Sequence, residues 1–308
     1  MNRGRVPVWG RALRIGLAAV LIALVWRMVD GADVAARLRG LRPEWVAVAV
    51  GLLVVQTLLS ALRWRLTAAR LGQAMGIRYA MREYFLAQVV NLALPGGVLG
   101  DAGRAVRARG VGGLERAGQA VIFERLAGQA ALVAVTLAGA LVVSLRPGGI
   151  DLPGVFPGVL AGVALVLLAA GLLLLRAGPD WPRVRAWRAA AGQAVFAPDI
   201  WPAQLALSLG TVVANLLAFA ACAAAVGVFL PAGAIMVILP LVLFTMLVPL
   251  TIGGWGLREG AAVMLFPLAG ATGAEGFAAS ATFGVVFLVT SIMGMAMWLL
   301  PRQAIDNT

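Results

Sequence analysis

The stretch Tyr84-Phe85-Leu86-Ala87-Gln88-Val89-Val90-Asn91-Leu92-Ala93-Leu94-Pro95-Gly96-Gly97-Val98-Leu99-Gly100-Asp101-Ala102-Gly103-Arg104 decides the fold. Its first half reads as an apolar helix. Pro95 ends that helix, because proline removes an internal hydrogen bond and clashes with the turn before it. The run Gly96, Gly97 and Gly100 lets the backbone turn sharply and approach a bound group closely. A helix restarting at Asp101 presents free N–H groups and a positive dipole end at its tip. Arg104 in its first turn adds a planar, permanently charged fork that suits phosphate.

The pattern recurs as Pro249-Leu250-Thr251-Ile252-Gly253-Gly254-Trp255-Gly256-Leu257-Arg258-Glu259. Each copy has a Pro, a Gly-rich run and an Arg nine positions after the Pro, and the second is offset from the first by 154 positions. Gly253, Gly254 and Gly256 form the second turn, and Trp255 is where its helix is expected to restart. The competing reading is coincidence in a chain with 38 Gly and 15 Pro. Each copy follows a full apolar span and precedes another.

Around these stretches the chain is a membrane sequence. Of its 308 residues 62% are hydrophobic and 12% charged, against ~45–50% and ~25% in soluble domains. Mean hydropathy is +0.95. All 25 basic residues are Arg, with no Lys, no His and one Cys, Cys222. This excludes Ser-His-Asp catalysis, His-ligated metal, a lysine Schiff base, a Walker A loop and an intramolecular disulfide. No cofactor and no enzyme activity are expected. The net charge of +12 suits anionic lipid head groups. Nucleic acid is excluded as a partner, because the basic residues fall in short loops between apolar runs.

A span needs ~20 mostly apolar residues. Six stretches qualify: 12–29, 45–62, 117–145, 155–176, 203–227 and 277–300. The first has signal-peptide character but no convincing cleavage site, and is read as an uncleaved helix. The broken stretches are 79–100 and 232–270. Lys and Arg collect on the cytoplasmic side. Segments 1–14, 63–83, 101–116 and 176–199 carry four, five, four and four Arg, whereas 227–233 and 270–276 carry none. Segments 63–83 and 101–116 flank the first broken stretch, so the chain enters and returns on one side as a re-entrant hairpin. Bilayers tolerate that only where the backbone is buried in protein or lines a wet cavity.

The expected fold class is therefore an all-α integral membrane protein. It has about six full spans, two Pro/Gly-broken re-entrant hairpins and an inverted-topology repeat. Such repeats place a substrate where broken helices meet near the midplane. The units are an N-terminal helix and loop (1–44), a first repeat (45–145, hairpin near 79–110), a connecting helix and cytoplasmic loop (146–202), a second repeat (203–300, hairpin near 232–270) and a tail (301–308). Both termini are expected in the cytoplasm.

Several polar residues lie at membrane depth. Tyr84, Gln88 and Asn91, at i, i+4 and i+7, share one face. They either line a head-group path or fix packing by interhelical hydrogen bonds. Glu124 and Arg125 are costly in a span and default to function. They point ~100° apart, so Glu124 is expected to face Arg104 or Arg258, and Arg125 to face Asp101 or a ligand. A purely structural ion pair is the other reading, and the same two hold for Arg258 with Glu259. Arg63, Trp64 and Arg65 read as an interfacial anchor at a helix end. Gln204 and Asn215 read as packing hydrogen bonds, and Gly154, Gly158 and Gly162 as a packing stripe.

The run Tyr84-Phe85…Asn91-x2-Leu94-Pro95-Gly96…Gly100-Asp101-x2-Arg104, with Glu124-Arg125 and Pro249…Gly253-Gly254-x-Gly256…Glu259, resembles the flippase-like transmembrane domain of the lysylphosphatidylglycerol synthases (the multiple peptide resistance factor) and its stand-alone, YbhN/AglD-type members. The resemblance covers roughly residues 45–300. It implies a multi-pass protein of the bacterial inner membrane that moves an anionic phospholipid or polyprenyl-phosphate-linked lipid between leaflets. Many members carry a second Gly where Leu99 stands, so the first tip is expected to be tighter here. No acyltransferase-like region follows residue 300, so aminoacylation is not implied. With no ATP motif, the driving force would be a gradient, a proton or consumption of the product. Arg104, Arg258 and Arg125 would contact phosphate, and Asp101, Glu124 and Glu259 would be charge partners. The alternative is a non-transporting subunit that scaffolds an envelope-biosynthesis enzyme, and a homo-oligomer is compatible with either.

Overall fold

The computed structural model describes residues 26–94, 97–110, 112–145, 182–247 and 251–295, together with Val20, Ala23 and Leu24. Among these residues the protein is all-helical. A short helix α1, Gly31–Arg39, is capped by Asp30, whose Oδ1 accepts from the Ala32 N–H at 2.9 Å. Helix α2 runs Pro43–Arg70, with Pro43 in its first turn, where the missing N–H costs nothing. Helix α3 spans Ile77–Ala93, α4 Leu99–Arg107 and α5 Gly113–Leu145. After α6, Pro182–Ala194, the same order returns: long α7, Trp201–Ala225, short α8, Ala232–Phe244, shorter α9, Leu257–Leu265, and long α10, Gly273–Gly294.

Four helices, α2, α5, α7 and α10, are long and apolar enough to cross a bilayer. The expected span 155–176 lies outside the described residues, as does most of 12–29. The same holds for Pro95, Gly96, Pro249 and the Gly154, Gly158, Gly162 stripe. Helices α3 and α8, of 17 and 13 residues, are roughly 25 and 20 Å long against a hydrocarbon core of ~30 Å. Neither crosses alone. Leu94, which closes α3, is extended at φ −112° and ψ 148°, the conformation a following proline imposes. Pro240 interrupts the hydrogen-bond ladder inside α8.

Three boundaries that shape the site differ from the sequence expectation. Helix α2 does not stop near residue 62 but continues through Arg63, Trp64 and Arg65 to Arg70. No Gly or Pro interrupts that stretch, and the buried Glu124 receives the charge of Arg63. The broken helices restart at Leu99 and Leu257 rather than at Asp101 and Trp255.

Among the described residues, helices α2 and α7 make the most extensive contact. One apolar core joins α7, α8, α9 and α10, where Phe219 stacks on Phe283 with ring centroids 4.6 Å apart. A second core, around Trp64, Ala68, Ala105 and Ala120, joins α2 to α4 and α5. Helix α6 closes its edge, Trp187 meeting Phe123 edge-on. The polar site lies between α2, α3, α4 and α5, beside this second core.

Candidate anion site at the first broken helix

Gly100 sets the hairpin. Its Cα lies so close to Ala87 of α3 that a Cβ would fall on that residue's carbonyl. The Asn91 Oδ1 accepts from the Gly100 N–H at 2.7 Å, and the Asn91 Nδ2 donates to Asp101 Oδ2 at 3.0 Å. This one amide therefore fixes the end of α3 against the start of α4. The second tip reaches the same place. Gly253, at φ +56°, lies against Leu92 of α3, and a Cβ would stand 2.9 Å from the Leu92 carbonyl oxygen. Only glycine combines that φ with that approach.

Asp101 and Arg104 then share an α4 face that turns into the protein, Arg104 being fully buried. The Arg104 Nε donates to Asp101 Oδ1 at 2.9 Å, and its Nη2 to Glu124 Oε2 at 2.7 Å. Its guanidinium lies over the rings of Tyr84 and Trp64, at 4.5 and 4.8 Å, a favourable position for a desolvated cation. Glu124 is also fully buried, and its Oε1 accepts both from Arg63 Nη2 at 2.5 Å and from the Tyr84 hydroxyl at 3.0 Å. Arg125 pairs with Asp101 Oδ2 at 2.5 Å. Glu124 thus faces Arg104 rather than Arg258, and Arg125 faces Asp101. Tyr84, Gln88 and Asn91 do share a face, and all three are spent on bonds between helices. Gln88 Nε2 donates to Thr57 of α2 at 3.1 Å, and Ser291 of α10 donates to Gln88.

Arg63 and Trp64 contradict the anchor reading, being 3% and 1% exposed. Both belong to the site. Their signal was the stripe Gln56, Ser60, Arg63, Thr67 on α2, polar residues at helical spacing in an apolar run. Arg65 instead donates to the Met75 carbonyl at 2.9 Å, and Gln204 makes a packing bond to Thr67 at 2.8 Å as expected.

The charge within the cluster does not balance. Three guanidiniums, of Arg63, Arg104 and Arg125, meet two carboxylates, of Asp101 and Glu124, leaving one positive charge. Four buried donors there lack a partner among the described residues: Arg63 Nη1, Trp64 Nε1, Arg104 Nη1 and Arg125 Nε. Buried unsatisfied donors are costly, and a cation in a span more so.

The second broken helix is built differently. Arg258 is fully buried, donates to Glu259 Oε1 at 2.6 Å and to the Ser280 hydroxyl at 3.0 Å, and lies over Trp255 at 5.1 Å. Ser280 donates on to Glu259 Oε1 at 3.1 Å, and Glu259 Oε2 accepts from the Gly256 N–H at 2.6 Å. This cluster is neutral and closed on itself. Ser280 on α10 occupies the place that Glu124 holds on α5. Gly284 leaves room for Arg258 as Gly128 does for Arg63. The N–H groups of Gly100 and Gly256, expected free at the tips, are taken by Asn91 and Glu259. The unbalanced positive charge lies in the arginines of the first cluster.

Comparison with curated proteins finds no match. Among protein families, the pattern of the lysylphosphatidylglycerol synthase TM region matches residues 11–294. That match spans nearly the whole sequence and every helix described above. The chain is a multi-pass membrane protein, and it belongs to the lysylphosphatidylglycerol synthase transmembrane-region family.

Proposed function

We propose that the chain moves an anionic phospholipid or polyprenyl-phosphate-linked lipid between leaflets of a bacterial inner membrane, without ATP hydrolysis and without enzymatic turnover. The observation that carries this reading is the first cluster, which among the described residues has one unbalanced positive charge and four unpartnered donors inside a membrane domain. A phosphate offers one negative charge and several acceptor oxygens, which is what that cluster lacks. The meeting of the two tips at Leu92 and Gly253 supports a site at the junction of two oppositely inserted repeats. Membership of a family named for a lipid synthase supports a lipid cargo.

In this reading Arg63, Arg104 and Arg125 hold the phosphate, while Asp101 and Glu124 keep them in position. Arg258 with Glu259 fixes the second hairpin. The test is leaflet exchange of a labelled anionic lipid in proteoliposomes. Wild-type protein should exchange it, and Arg104→Ala, verified as folded, should lose exchange. Exchange undiminished in Arg104→Ala would reject the site. Absence of exchange in wild type, with stable co-purification of a lipid-modifying enzyme, would favour the scaffolding alternative.

A further inference from the structure

We infer that Asp101 sets the charge count of the first cluster, so that the site selects a phosphodiester with a single negative charge and no amine. The inference rests on the anion-site reading above and deepens it to a substrate class. Both carboxylates of the cluster are committed. Glu124 receives Arg63, Arg104 and Tyr84, and Asp101 receives Arg104, Arg125 and Asn91. One positive charge is left, and beside the sealed Arg63 and Arg104, within a membrane span, an uncompensated charge is penalised.

A phosphodiester monoanion neutralises the remainder and brings acceptor oxygens of the kind that Arg63 Nη1, Trp64 Nε1, Arg104 Nη1 and Arg125 Nε lack among the described residues. A phosphomonoester dianion overshoots by one charge. A zwitterionic or aminoacylated head group brings an ammonium for which neither carboxylate of the cluster is free. Asp101 is the adjustable member. It lies at the rim, 6% exposed, beside Arg125, whose side chain is 41% exposed, whereas Glu124 is sealed. Asp101→Asn keeps the shape and leaves two positive charges. Arg125→Gln leaves none.

The experiment is displacement of an acyl-labelled fluorescent phosphatidylglycerol from the full chain in nanodiscs. Competitors are phosphatidylglycerol, phosphatidylcholine, phosphatidic acid at a pH where it is a dianion, and chain-free glycerophosphoglycerol. Wild type should prefer phosphatidylglycerol over phosphatidylcholine and over dianionic phosphatidic acid by about tenfold or more, a difference of ~1.4 kcal/mol. Asp101→Asn should reverse the order of phosphatidylglycerol and phosphatidic acid. Arg125→Gln should bring phosphatidylglycerol and phosphatidylcholine close to parity, and it decides the matter if Asp101→Asn does not fold. A wild-type preference for phosphatidylglycerol that both variants retain would overturn the role of Asp101 while leaving the anion site standing. No preference in wild type would overturn both. Displacement by the chain-free diester as strong as by the lipid supports the charge match and overturns a lipid cargo.

Discussion

At the scale of single residues, Glu124 holds the site together. It is sealed among Arg63, Arg104 and Tyr84, so Glu124→Gln strands two buried guanidiniums against a neutral amide. Removing one partner of a buried ion pair typically costs ~3–5 kcal/mol. Chemical denaturation in detergent is expected to show a loss of that order. Arg70 and Asp199 form a separate pair whose side chains are 35% and 60% exposed, so Arg70→Gln is expected to cost under about 1 kcal/mol in the same assay. The residues of this network were partly legible in the sequence. Glu124, Arg125, Asp101 and Arg104 stand out because charges in apolar runs are rare. Arg63 and Trp64 were missed because an Arg-Trp-Arg at the end of a hydrophobic stretch has the composition of a membrane-interface anchor. Only the path of α2 past residue 65 turns them inward, and that path depends on a carboxylate 61 positions away.

At the scale of elements, the hairpins depend on glycines at points of close approach. Gly100→Ala forces α4 away from the Ala87 carbonyl, and overpacking of this kind costs ~1–3 kcal/mol. A lower melting temperature and a loss of monodisperse protein are the expected readouts. Gly118→Ala, half-buried on α5 with nothing within 4 Å of the added Cβ, serves as the control and should be neutral or slightly stabilising, since alanine favours helix. The broken helices were legible because Pro and Gly interrupt otherwise continuous apolar runs. Their restart points were not, since Leu99 and Leu257 are ordinary helix residues whose roles are set by what packs on them. The sequence also suggests equivalent sites at Arg104 and Arg258. The difference lies in a third position, Glu124 against Ser280, which only the packing of α5 and α10 brings into register.

At the scale of the whole molecule, the Arg distribution and the short α3 and α8 bear on how the chain enters the membrane. If the first hairpin is re-entrant, Arg78 and Arg109 face the same side. In a Cys222→Ala background, cysteines replacing Arg78 and Arg109, both exposed, should react with an impermeant maleimide only from the cytoplasmic face. Labelling from opposite faces would make α3 and α4 one broken crossing and remove the inverted repeat.

The most direct measurement on the anion site is native mass spectrometry of gently purified protein, comparing wild type with Arg104→Gln, Arg125→Gln and a surface control, Arg183→Gln on α6. Wild type and the α6 variant should retain one anionic phospholipid per chain, and the two cluster variants should lose it. Equal retention of anionic lipid in all four proteins would place that lipid on the outer surface and contradict a phosphate site at Arg63, Arg104 and Arg125.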